Sequence, residues 1–378
     1  MSKKLLKQSS LYSLSHLFAS ITGLITFPLL TKNLTIEEYG AVGLFTISTS
    51  LLTSINKLGI QQSIIRFHSE VSNKKLQSSI IFPGMLMILL SSGLIYLLGN
   101  LLGGYSSSVL FDRYPLLIIA VSAALQSIRS LIDNLLIANQ YSLSTTLFGL
   151  MHRVFSLSLI VIILLYISKS PEGFITAILI ADALITIAII TWCFREKILY
   201  KFEFVSFDKG FFFSALAFST PLFANEILNM VHAFIDRYFI EFYVSREALG
   251  IYSASANMAT IICGTLTGGI MVAIVPMYLK VWREEGAEKT KELLNSVNDL
   301  YLLLTPAIIT GIYLVAPSLL EMLSTKEYAG YAHLLPITAL GMLLYSTNAI
   351  YGAGLQIKKK SKKIFRFAIE STVLNINH

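Results

Sequence analysis

A chain of 378 residues with 13% charged side chains and a mean hydropathy of +0.69 is too apolar for a soluble globular protein, which needs a charged surface. Two cysteines, Cys193 and Cys263, both inside apolar stretches, exclude a disulfide framework and zinc-ligand spacing. The formal net charge of +7 would suit a nucleic-acid binder, but its placement in the loops argues against nucleic acid.

Ten apolar runs reach the roughly 20 residues that a helix needs to cross about 30 Å of hydrocarbon. Helix is the expected state, because an open strand edge finds no hydrogen-bond partners in lipid. Span 1, near 10–31, follows the basic start Lys3, Lys4 and Lys7; it is too long for a signal-peptide core and lacks a small-residue cleavage site. Span 2, 39–61, carries Thr46, Ser50, Thr53, Ser54, Lys57 and Gln61 on one face at about 100° per residue. Span 3 is 77–100. Span 4, 114–138, aligns Ser122, Gln126, Arg129, Ser130 and Asp133 in one stripe, with Asn134 at its edge. Span 5, 143–167, holds Arg153 near mid-membrane with His152 beside it, and span 6 is 173–194. In span 7, 211–243, Asn225, Asn229, His232 and Asp236 fall within an arc of roughly 60°, with Glu226 at its margin. Span 8, 248–279, carries Asn257 and a Gly264-x-x-x-Gly268 pattern suited to close helix packing. Spans 9 and 10 are 298–320 and 332–356. An eleventh starts at about Lys363 and reaches only His378, where apolar sequence is expected to continue. Pro28, Pro83, Pro221, Pro276, Pro306 and Pro336 lie within spans, and each permits a kink.

Lys and Arg in the loops set the orientation. With the N-terminus inside, 20 of the 29 basic residues face the cytoplasm, five face outward, and four lie within spans: Lys57, Arg129, Arg153 and Arg237. The run Lys358–Lys363 reads as a topology anchor touching anionic lipid. The longest loops are expected at 195–210 and 280–297. No phosphate-binding loop is present, so the chain carries no ATPase of its own. Short outer loops and the lack of a nucleotide-sugar or metal constellation argue against an enzyme, and no cofactor or metal is expected.

An internal repeat is visible. The turn Thr35-Ile36-Glu37-Glu38-Tyr39-Gly40 between spans 1 and 2 matches Ser245-Arg246-Glu247-Ala248-Leu249-Gly250 between spans 7 and 8. In each, a hydroxyl suited to cap a helix is followed by an acid that favours the helix dipole, then by glycine. An interval of six helices makes this a parallel repeat about an axis along the membrane normal. The expected halves are 1–205 and 206–378.

At these residues the chain resembles a known family. Leu29-Leu30-Thr31-Lys32-Asn33-Leu34-Thr35-Ile36-Glu37-Glu38-Tyr39-Gly40 resembles the span 1–2 junction of Wzx-type polysaccharide flippases of the MATE-like MOP superfamily. Asp236-Arg237-Tyr238, followed by Leu249-Gly250-Ile251-Tyr252-Ser253-Ala254, resembles their span 7–8 junction, and Leu374-Asn375-Ile376-Asn377 the start of a span 11 motif. The resemblance implies an all-α membrane protein of two pseudo-symmetric six-helix lobes around a central cavity. It implies translocation of undecaprenyl-diphosphate-linked oligosaccharide across the bacterial inner membrane, with membrane lipids and other polysaccharide-assembly membrane proteins as partners. Family members have at least twelve spans, so a chain truncated in its second lobe, and an inactive flippase, is one expectation. A cation-coupled multidrug exporter of the same fold is another.

An ionisable residue at membrane depth costs at least about 2.5–3.5 kcal/mol and marks a partner or a hydrated cavity. Arg129, Arg153 and Lys57 are therefore candidates for binding the diphosphate, with Gln126, Asp133, Asn225 and Asn229 meeting the glycan. Glu226, His232 and Asp236 are candidates for coupling to protons. Blander readings stand beside these. Arg129 and Asp133, at i and i+4, could neutralise each other. Lys57 could snorkel to the surface. Asp236 and Arg237 could form a pair.

Overall fold

The computed structural model describes residues 3–103, 116–200, 207–358, 363, 366, 367 and 370, with 3–17, 232, 268–273, 276 and 356 described by their backbone alone. The eleventh span, the basic run at 359–362, the His232 side chain and the surroundings of Gly268 lie outside that description. All regular structure among the described residues is helical. Eight helices there are long and apolar enough to cross a bilayer, against ten expected spans. The other two positions are occupied by α1 (Lys3–Asn33) and α2 (Ile36–Lys57). The hydroxyl-rich face of α2, including Thr46, Ser50, Thr53 and Ser54, keeps its apolar content low.

The chain forms two compact units that interleave along the sequence. The first comprises Met1–Phe18 and Ala41–Val244. In it, α2 stops at Leu58 and Gly59, whose φ values are 45° and 73°, and the path resumes as α3 (Ile60–Phe67). α4 (Asn73–Leu76) and a π-turn at Gln77–Ile81 lead into α5 (Phe82–Gly103). α6 (Leu116–Ala138), α7 (Ser142–Ile162), α8 (Pro171–Arg195) and α9 (Lys209–Tyr243) complete the unit. Ser170 caps α8 through the Gly173 N–H, with Pro171 at the first helical position, where its missing N–H costs nothing.

The core of this unit joins Ile60 and Ile64 of α3 to Leu131, Ile132, Leu135 and Leu136 of α6 and to Ile189 and Cys193 of α8. Gly59 makes the α2–α3 corner possible. Its left-handed φ disfavours other residues, and an added Cβ would stand 2.8 Å from the Ser219 carbonyl oxygen and 3.1 Å from Phe223 Cβ on α9. Gly59→Ala is expected to destabilise the unit by about 1–2 kcal/mol from the backbone alone, and more from the collision. Gly93→Ala, where a Cβ meets nothing within 4 Å, should be neutral or stabilising. Thermal denaturation of the purified variants in detergent checks the pair.

At one end of the unit polar groups tie the segments together. Gln77 Nε2 donates to the Ile198 carbonyl at 2.6 Å, and its Oε1 accepts from Tyr200 N at 2.8 Å. Asp208 caps α9 and pairs with Lys75 at 2.8 Å. The Lys75 hydrogen bond and the Phe211 N–H hold the Asp208 carboxyl below its ordinary range.

The second unit comprises Ala19–Gly40 and Ser245–His378. It contains α10 (Arg246–Glu284), α11 (Gly286–Leu323), α12 (Lys326–Ala329), α13 (Leu334–Ser346), α14 (Asn348–Tyr351) and α15 (Ala353–Ile357). The loop expected at 280–297 is instead a helical hairpin, with α10 and α11 meeting at Glu285 and at Gly286, φ 85°. Leu293, Leu294 and Val297 pack against Ile274 and Tyr278, while Lys280–Glu284 and Lys289–Glu292 pair on the exposed side. Charged composition alone reads as loop, but these pairs and a short apolar seam sustain helix. The tenth span is broken after Ser346 into α13, α14 and α15. Thr31 Oγ1 donates to the Leu323 carbonyl at 3.3 Å and Lys32 Nζ to the Met322 carbonyl at 2.8 Å, satisfying the end of α11.

Candidate functional site

Within the first unit, α6, α7 and α8 enclose a cavity of about 560 Å³. Five of the six polar residues aligned along span 4 line it: Gln126, Arg129, Ser130, Asp133 and Asn134. The sixth, Ser122, is fully buried. His152 and Ser156 come from α7, and Ile178 and Asp182 from α8.

Asp182 organises this site, and its side chain is only 3% exposed. Its Oδ1 lies 2.7 Å from His152 Nε2, and its Oδ2 accepts from Gln126 Nε2 at 2.9 Å. Gln126 Oε1 in turn faces Thr53 Oγ1 of α2 at 3.4 Å. The Arg129 guanidinium lies between two acids, 3.7 Å from Asp133 Oδ2 and 3.9 Å from Asp182 Oδ1. Both separations exceed hydrogen-bond length. Among the described residues no side chain therefore accepts a hydrogen bond from the guanidinium N–H donors. The site thus combines one guanidinium, two carboxyl groups, one imidazole and four neutral amide or hydroxyl groups.

A second cavity of about 470 Å³ lies between α3 and α9, still within the first unit. Gln62, Asn225, Glu226 and Asn229 supply its polar wall, and Leu222, Met230, Ala233 and Phe234 its apolar wall. The Glu226 carboxylate is fully engaged. Its Oε1 accepts from Ser54 at 2.8 Å and from Lys57 at 3.0 Å, and its Oε2 from Gln61 at 3.1 Å. The polar face of span 2 and the polar arc of span 7 therefore meet each other, with Lys57 and Glu226 as an ion pair.

The remaining candidates lie elsewhere. Arg153 is half-buried on α7 and lines neither cavity. Asp236 Oδ1 accepts from the Arg237 N–H, and Asp236 also lies outside both cavities. Asn257 donates to the Tyr39 hydroxyl at 2.9 Å within the second unit. Asp182 escaped the sequence reading, because its partners come from α6 and α7 and no i±4 partner on α8 flags it. The available signal was its solitude: a lone carboxyl in the apolar stretch 173–194 carries an insertion cost of about 2.5 kcal/mol or more unless it is partnered.

Comparison with known proteins agrees with this architecture. Residues 5–282 match the family model described as polysaccharide biosynthesis protein. Among solved structures, the chain is similar to an inward-facing multidrug resistance MATE family transporter of the MOP superfamily, at 14% identity and TM-score 0.74, over 94% of this chain and 84% of that one. An outward-facing transporter of the same description aligns at 14% identity and TM-score 0.65, over 98% and 86%. A MOP superfamily transporter from Pyrococcus furiosus, described as having a binding pocket of reverse polarity, aligns at 15% identity and TM-score 0.63, over 95% and 85%. No curated protein matches the chain by sequence. Identities this low establish the fold alone, and that fold is all-helical and MATE-like, with apolar helices that make this a multi-pass membrane protein. The family match spans well over half of the sequence, and on it the chain belongs to the polysaccharide biosynthesis proteins, the family of Wzx-type flippases.

Proposed function

We propose that this protein translocates an undecaprenyl-diphosphate-linked oligosaccharide across the bacterial inner membrane, with its N-terminus in the cytoplasm. The halves 1–205 and 206–378 act as lobes in alternating access, so that the substrate is exposed to one face and then the other. The observation that carries this reading is Arg129, a guanidinium at membrane depth beside a cavity, with donors that no described side chain uses. A guanidinium presents a planar fork that matches phosphate oxygens. Asp133 and Asp182 balance its charge at a distance without consuming those donors. Gln126, Ser130 and Asn134 offer hydrogen bonds beside it. In the second cavity Gln62, Asn225 and Asn229 line the same space as Phe234, a combination of amides and an aromatic side chain suited to a sugar. Lys57 and Glu226 serve better as a coupled charge pair than as separate ligands, because a proton on Glu226 would release Lys57.

Transport of lipophilic cations is the competing reading, favoured by the two acids that face one arginine in the first cavity. Reconstitution into vesicles separates the two. Flipping of a fluorescent diphosphate-linked glycolipid, with no cationic-dye efflux, is the expected result. Dye efflux without glycolipid movement would overturn it.

A further inference from the structure

The two repeated turns found in the sequence meet in space. Within the second unit, the start of α2 crosses the start of α10 at Gly40 and Gly250. A Cβ on Gly40 would stand 2.4 Å from the Arg246 carbonyl oxygen and 3.0 Å from Gly250 N. A Cβ on Gly250 would stand 2.0 Å from the Ile36 carbonyl oxygen. Each glycine thus faces the carbonyl four residues before the other, the reciprocal pattern of an isologous contact about a two-fold axis. The capping chemistry is matched as well. Thr35 Oγ1 accepts from Glu38 N while Glu38 Oε2 accepts from Thr35 N, and Ser245 Oγ accepts from Ala248 N.

This contact joins two helix N-termini, so like partial charges of the helix dipoles face each other. Glu37, Glu38 and Glu247 in the first turns offset that repulsion. What holds the crossing closed is local: Asn257 donating to the Tyr39 hydroxyl, and the Tyr39 ring set edge-on against Phe27 and Tyr328 at 6.2 and 6.1 Å. Backbone-level packing of this kind has no intermediate separation, since a small displacement loses the fit.

We infer that the Gly40–Gly250 crossing is a gate, closed in this structure, which must separate when the face of the membrane bearing these two turns opens. The inference rests on the alternating-access reading, but it is read out by accessibility rather than by transport. The reporter is Ala254→Cys, one turn beyond Gly250 and 1% exposed in the parent, in a Cys193→Ser, Cys263→Ser background. A membrane-impermeant maleimide is applied to right-side-out and to inside-out vesicles.

Gly40→Ala and Gly250→Ala, which force the backbones apart, should raise the labelling rate by at least tenfold, or about 1.4 kcal/mol in the closed–open balance. Tyr39→Phe adds no bulk, keeps the ring packing and loses one hydrogen bond; it should raise labelling about two- to tenfold. Gly264→Ala, where a Cβ meets nothing within 4 Å, should leave the rate unchanged. A rise from either face supports the gate, and a rise only in inside-out vesicles would reverse the assigned orientation while the gate stands. If the glycine variants do not fold, Tyr39→Phe decides. Labelling equal to the parent in every variant that remains monodisperse would overturn the inference.

Discussion

Arg129→Ala is expected to abolish complementation of a flippase-deficient strain while the protein accumulates in the membrane at the parental level. One charge-assisted hydrogen bond to phosphate contributes about 1.5–3 kcal/mol, so losing even a single contact weakens the bound state roughly 10- to 100-fold. Arg129→Lys keeps the positive charge beside Asp133 and Asp182 but loses the planar fork. It should retain partial activity, with a higher substrate requirement. The comparison separates a ligand-binding arginine from one that only neutralises acids. If Arg129 merely balanced the two carboxylates, lysine would restore full function. Surface polysaccharide at the parental level in Arg129→Ala would remove Arg129 from the substrate path.

Asp182→Ala should produce the largest loss of stability among substitutions in the first unit. The carboxylate is almost fully buried and is the acceptor for Gln126 and the partner of His152 and Arg129. Its removal leaves a buried amide N–H without an acceptor and places Arg129 beside Asp133 alone. Breaking a buried pair from one side costs about 3–5 kcal/mol. In detergent this should appear as a marked fall in the unfolding temperature. Asp182→Asn retains an acceptor and the side-chain volume, so it should fold better than Asp182→Ala while still disturbing the position of Arg129. Parental thermal stability in Asp182→Ala would show that the network does not hold α6, α7 and α8 together.

The fold was legible wherever one helix carries the whole signal. Apolar length marks the spans, and a period of about 100° per residue places Gln126, Arg129, Ser130 and Asp133 on one face of α6, where they line one cavity. The hydroxyl–acid–glycine turns were also legible, as a repeat, but their mutual contact was not, because nothing in a sequence docks one helix onto another. The same limit hid Asp182, whose partners lie 56 and 30 residues away, and the Lys57–Glu226 pair, 169 residues apart. The hairpin around Gly286 was misread for a different reason. Charge-rich composition signals hydration, and hydrated sequence is loop only when no pairs or seam residues favour helix. Leu293, Leu294 and Val297 supply that seam.

Arg129 also bears on whether the polar network has a structural or a transport role. Two acids near one cation could simply balance charge, as buried networks do in many proteins. The separations of 3.7 and 3.9 Å are those of ion pairs without direct hydrogen bonds, so charge balance here leaves the guanidinium N–H groups available for the anion proposed above. A guanidinium with open donors beside a cavity is suited to receive an anion, which is the role proposed here for Arg129.

The most direct measurement is native mass spectrometry of the purified protein with a polyprenyl-diphosphate-linked oligosaccharide and with the same glycan on a neutral lipid. The wild-type protein should retain the diphosphate lipid and release the neutral one, and Arg129→Gln should lose that preference. Equal retention of both lipids by the wild type, or an unchanged preference in Arg129→Gln, would contradict the account.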